Sequence, residues 1–281
     1  MDWRTIRKID AHVHVIPEKR LAEQRKKPGS AWAIASPDEY IRAMDRFNVA
    51  HAILMPINQA GLYCDTADET NAWHAELLRR YPGRFYAFAD VRAEGAAFFE
   101  DAPLALERAV TDYGLCGLKL HPSNLNMDID CLQMVPVLRK AAELNIPVTV
   151  HSNPCRSGFH DNCAPDRINR MIQIFPDVTF ITAHMGGMKW PDAVTGCTFV
   201  DISGNLISLV NLYGIEQTKR ILHRFGAERL IFATDWPDVW FSAPESICET
   251  YCDILNRMDF TEAEAEKIAY GNIAAILGLK D

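Results

Sequence analysis

Residues 7–15 read Arg7-Lys8-Ile9-Asp10-Ala11-His12-Val13-His14-Val15. This short run, rich in aliphatic and β-branched residues, predicts a buried β-strand. On a strand, residues i and i+2 project from the same face, so His12 and His14 point the same way. Seven more runs of this kind follow: Val49–Pro56, Arg84–Asp90, Leu115–His121, Ile146–His151, Val178–His184, Thr198–Ser203 and Leu230–Thr234. Longer helix-like stretches lie between them: 36–47, 70–81, 104–113, 130–144, 164–175, 187–194, 215–225 and 244–258. Eight strands alternating with eight helices predict a parallel α/β fold, a distorted (β/α)8 barrel. A last helix, Thr261–Leu277, opens with the capping-box pair Thr261 and Glu264 and is expected outside the barrel. The basic segment Glu18–Ser30 is expected to be a mobile loop.

The 281 residues suit one barrel domain spanning 1–281, since such barrels take roughly 250 residues. The chain is 48% hydrophobic and 23% charged, ordinary composition for a globular core. Its net charge of −8 argues against nucleic acid as a partner. No stretch of about 18 uncharged apolar residues exists, so no membrane span is expected. The opening residues lack a signal-peptide core, and the eight cysteines form no CxxC pair. A reducing cytoplasm is the expected location.

Active sites of these barrels sit at the C-terminal ends of the strands. Five of the nine histidines fall there: His12, His14, His121, His151 and His184. Asp235 closes the eighth strand, and Asp201 and Ser203 the seventh. Two imidazoles on one strand face can grip a single ion, and added carboxylate widens the choice from zinc to manganese. Standing alone, the pair reads equally well as two surface histidines. Asp235 also suits a helix N-cap, and His184 a core position beside a Gly-Gly turn.

The segments IDAHVH (Ile9–His14), GLKLHP (Gly117–Pro122), PVTVHSN (Pro147–Asn153), TAHMGG (Thr182–Gly187), FATDWP (Phe232–Pro237) and GNIAAILGL (Gly271–Leu279) resemble the amidohydrolase superfamily. The likeness is to the amidohydrolase-related branch that includes aminocarboxymuconate-semialdehyde decarboxylase. That resemblance implies His12, His14, His151 and Asp235 as ligands of one divalent metal ion, zinc first and manganese second. It implies Asp235 as the base that takes a proton from water, and His184 as the group that polarises substrate. A carboxylated Lys119 bridging a second ion is the alternative. Unmodified, Lys119 suits an anionic substrate group.

Lys119, His121, Arg156, Asn58 and Trp236 are the candidate substrate contacts, and Arg156 with Lys119 hints at a carboxylate. The leading expectation is a metal-dependent hydrolase of small amides, lactones or related compounds. The alternative is a non-oxidative decarboxylase of an aromatic or unsaturated acid. A catalytically silent ligand-binding barrel is the third reading. By the same resemblance, a homo-oligomer, a dimer, is expected.

Overall fold

The structure is a computed structural model that describes residues 1–93, 97–152, 161–238 and 246–279. The expected substrate contact Arg156 lies outside the described residues. Among the described residues there are eight strands, one inside each predicted run: β1 (Lys8–Val13), β2 (Val49–Leu54), β3 (Phe85–Ala87), β4 (Leu118–Leu120), β5 (Val148–Val150), β6 (Phe180–Thr182), β7 (Phe199–Asp201) and β8 (Leu230–Ile231). The chain divides into two compact units, Met1–Leu54 with Gly83–Phe85 and Asp201–Asp281, and Met55–Pro82 with Tyr86–Val200. Two of the four boundaries fall within β3 and β7.

In the first unit β1 pairs with β2 in parallel, Asp10 opposite Ala52 and Val13 opposite Leu54. On its other side, Ala11 N–H donates to the Phe232 carbonyl at 3.0 Å. Ile202 N–H then donates to Ile231 of β8 at 3.1 Å. All six β1 residues are buried, as expected of a strand covered on both faces. In the second unit β4, β5 and β6 run parallel with Lys119 opposite Thr149 and Thr149 opposite Ile181. Phe199 extends that ladder opposite Ile181.

The helices are α1 (Glu18–Gln24), α2 (Pro37–Arg46), α3 (Ala67–Arg80), α4 (Phe98–Thr111), α5 (Pro122–Leu125), α6 (Val135–Glu143), α7 (Pro165–Ile174), α8 (Trp190–Gly196), α9 (Asn205–Phe225), α10 (Ile247–Asn256), α11 (Glu262–Glu266) and α12 (Asn272–Ile276). Helix α1 corrects the expected mobile loop over Glu18–Ser30: Leu21 and Gln24, one turn apart, are both buried and anchor it. The C-terminal helical tail is present, with a π-turn over Lys267–Gly271 joining α11 to α12. Both halves of the predicted Thr261–Glu264 capping box form. The Asn272 amide ties the tail to the carbonyls of Ala227 and Leu230, each at 2.7 Å.

Candidate metal centre

Three backbone hydrogen bonds fasten the end of β1 to the segment after β8. They run from Ala11 to Phe232 at 3.0 Å, from Asp235 to His12 at 2.9 Å and from His14 to Trp236 at 2.7 Å. Asp235 adopts a left-handed backbone, φ 61°, uncommon outside glycine and asparagine. This places one carboxylate oxygen of Asp235 3.5 Å from His12 Nε2 and 3.2 Å from His14 Nε2. The two imidazoles meet edge to face with centroids 5.0 Å apart. One ligand atom from each of the three residues lies within 4.8 Å of the other two. Neutral imidazole and carboxylate oxygen are a donor set that suits a divalent transition metal, so the residues fit such an ion.

Beneath the pair, Asp10 is wholly buried. Tyr40 Oη and Thr234 Oγ1 both donate to it at 2.6 Å, and the Thr234 and His12 amides at 2.9 and 3.3 Å. Burial pushes its carboxyl up to about 6, against the pull of those four donors. Asp10 therefore locks β1 to α2 and to the segment that delivers Asp235. Asp201 approaches His12 from behind, its Oδ2 3.0 Å from Nδ1. Trp236 is buried with its ring tilted against Tyr40, centroids 5.3 Å apart.

The second unit gathers the remaining histidines. His121 and His151 follow β4 and β5 directly, and their rings stack 3.8 Å apart. His184 Nε2 lies 3.0 Å from His151 Nδ1. His184 sits in a run of four left-handed residues, His184 to Gly187. Ser152 spans that turn, donating to the Ala183 carbonyl and accepting from Gly186 N–H at 3.0 Å. A Cβ on Gly186 would meet Ala193 Cβ at 2.8 Å, so the turn admits only glycine there.

Lys119 is fully buried on β4. Asn58 accepts from the His121 amide at 2.7 Å and donates to Asp90 at 2.8 Å, so its side chain braces the end of β4. Asp90, raised by burial and pulled back by Arg92, holds that guanidinium at 2.9 Å. Arg92 also donates to the carbonyls of Gln59 and Cys64.

The structure thus brings His12, His14 and Asp235 together in one unit, and His121, His151 and His184 in the other. Sequence reasoning gave no role to Asp10, Asp201, Ser203 or Ser152. The acid and hydroxyl two residues apart at the end of β7 were the available signal for Asp201 and Ser203.

The sequence profile of the Amidohydrolase family matches residues 9–279. The chain belongs to the amidohydrolase family. A search of curated protein sequences returns no match.

Among solved structures, this amidohydrolase is similar to 2,6-dihydroxybenzoate decarboxylase in complex with 2,6-dihydroxybenzoate. The TM-score is 0.74 at 21% identity, covering 98% of this chain and 100% of that one. It is similar to 5-carboxyvanillate decarboxylase from Novosphingobium aromaticivorans, complexed with manganese and 4-hydroxy-3-methoxy-5-nitrobenzoic acid. There the TM-score is 0.73 at 14% identity, over 98% and 97% of the two chains. A third likeness is to a probable 2-pyrone-4,6-dicarboxylic acid hydrolase from Acinetobacter baumannii, TM-score 0.65 at 17% identity, over 98% and 100%. These likenesses show the fold of the amidohydrolase, a distorted (β/α)8 barrel with an extra C-terminal helix. No described helix is long and apolar enough to cross a membrane.

Proposed function

We propose that this amidohydrolase is a metal-dependent hydrolase of a small amide, lactone or related substrate. The observation that supports it best is the Asp235 carboxylate, which touches the Nε2 atoms of His12 and His14 at 3.5 and 3.2 Å. His12, His14 and Asp235 hold one divalent ion, zinc first and manganese second, and family resemblance adds His151 as the fourth ligand. When bound, such an ion supplies Lewis acidity, lowering the pKa of water and polarising a carbonyl. Asp235, one-fifth exposed, takes the proton from the attacking water. His184 donates to the charge that develops on the substrate oxygen.

A second reading, non-oxidative decarboxylation of an aromatic acid, draws support from the two decarboxylases of the same fold. In it His184 delivers a proton to carbon. Lys119 suits the carboxylate of such a substrate in either reading.

Elemental analysis of protein purified without added metal or chelator is the first test, with His12→Ala as control. One ion per chain, lost in the control, supports the site. Two ions per chain favour the carboxylated Lys119 arrangement instead, and none removes the proposal. The loaded enzyme is then given 2-pyrone-4,6-dicarboxylate and 2,6-dihydroxybenzoate, together with a panel of small amides and lactones. Ring opening or amide cleavage without carbon dioxide supports hydrolysis. Release of carbon dioxide overturns hydrolysis in favour of the second reading.

A further inference from the structure

We infer that Asp201 is a positioning residue that fixes the proton of His12 on Nδ1 and so presents Nε2 as the metal-binding atom. The inference rests on the metal reading above and assigns the part of the site that sets its affinity.

His12 and Asp201 are each 1% exposed, and Nδ1 lies 3.0 Å from Asp201 Oδ2. The other oxygen of that carboxylate, Oδ1, accepts from the Ser203 amide at 3.1 Å and from the Ser203 hydroxyl. Ser203 Oγ itself stands 3.3 Å from His12 Nδ1. Its single proton is committed to Asp201, so towards His12 it offers a lone pair. Nδ1 thus faces two acceptors, a carboxylate oxygen and a hydroxyl oxygen, and must carry the hydrogen. The lone pair then sits on Nε2, the atom beside Asp235 at 3.5 Å.

The anchor of Asp201 is as well defined as its target. Ile202 N–H bonds to Ile231 of β8 at 3.1 Å, and the Tyr251 hydroxyl donates to the Ile202 carbonyl at 3.3 Å. The backbone between Asp201 and Ser203 is therefore held on both sides. A carboxylate behind a metal-binding imidazole fixes ring orientation and tautomer, and raises the basicity of the ligand. Removing such a partner costs 10- to 100-fold in metal affinity.

Asp201→Asn separates this role from packing, because the side chain keeps its size. The Ser203 amide demands a carbonyl oxygen opposite it. The new amide must then turn its NH2 toward Nδ1, which becomes an acceptor and moves the proton to Nε2. The wrong tautomer blocks the ligand atom, as at other histidines held by an acid.

The test measures zinc affinity by competition with a chromophoric chelator for wild type, Asp201→Asn, Asp201→Ala and Ser203→Ala. Urea unfolding of the zinc-free proteins confirms that each is folded. Asp201→Asn and Asp201→Ala are expected to bind zinc about 10- to 100-fold more weakly, with Ser203→Ala between them and wild type. Long-range 1H–15N spectra of the zinc-loaded wild type, with His12 identified by His12→Gln, are expected to show the proton on Nδ1. A folded Asp201→Asn with wild-type affinity overturns the inference. So does a zinc-loaded His12 carrying its proton on Nε2, a result that needs no Asp201 variant. A wild type that takes no zinc removes the metal reading and this role together. Equal affinity in wild type and Asp201→Asn removes the role alone.

Discussion

Lys8 is wholly buried on β1 and donates to the carbonyls of Trp3 and Ile6 at 2.6 and 2.5 Å. Burial lowers its pKa from 10.5 to about 8. At about 1.4 kcal/mol per pH unit, keeping the buried amine charged at pH 7 costs roughly 3 kcal/mol. Its folded pKa lies below the unfolded value, so between pH 8 and 10.5 the unfolded chain holds the extra proton. Stability from this group therefore rises with pH across that window. Lys8→Met is expected to be more stable than wild type at pH 7, by about 1–3 kcal/mol after loss of the two hydrogen bonds. The gap should close by pH 10.5, and urea unfolding at both pH values measures it. A gap independent of pH refutes the assignment.

At the same scale, Asp235→Asn keeps the shape of the side chain but removes the base. Turnover of an identified substrate should fall about 10²- to 10⁴-fold while the protein stays folded. His12 and His14 were legible as a pair because strand geometry alone puts i and i+2 on one face. Asp201 as the partner of His12 and Thr234 as a partner of Asp10 were not, because they stand 189 and 224 residues away and meet them only in the folded chain.

At the scale of elements, strand positions were legible and helix limits less so. Each strand is a short apolar run between turns, which a local pattern reveals. Helix α4 starts at Phe98, ahead of Pro103, although a proline usually ends a helix pattern. Helix α9 starts at Asn205 and continues past Gly214, whose φ of 74° breaks the periodicity in its middle. The His184 turn was legible only in its glycines, since nothing local announces that His184 and Met185 also take φ of 58° and 50°. Ser152 stabilises that backbone from the neighbouring strand end. Ser152→Ala leaves the Ala183 carbonyl and the Gly186 amide without this buried partner, and should lower unfolding free energy by about 2 kcal/mol. Thr261→Ala, which removes only the cap of α11, should cost about 1 kcal/mol. Urea unfolding of the two variants ranks them, and the reverse order would argue against the Ser152 bridge.

For the whole molecule, the barrel was legible because eight strands alternate with helices, and the family segments run in order from Ile9 to Leu279. What a barrel fold leaves open is whether the ion is part of the folded state. His12 stands on β1, His14 directly after it and Asp235 beyond β8, joined by backbone hydrogen bonds, so an ion held there ties two strand ends distant in sequence. Such an ion binds the native chain better than the unfolded one, and stabilises it by about 2.7 kcal/mol at a hundredfold excess over Kd. For a chain of this size that corresponds to roughly 5 °C in Tm. Chelation of the loaded wild type should lower Tm by about that amount, and added zinc or manganese should restore it. His12→Ala should show the lower Tm from the outset and respond to neither treatment. The control separates ion binding at this site from general effects of chelator or salt, because those act on both proteins alike. Equal shifts in wild type and His12→Ala would place the ion elsewhere, and would take the ligand role of His12 with it.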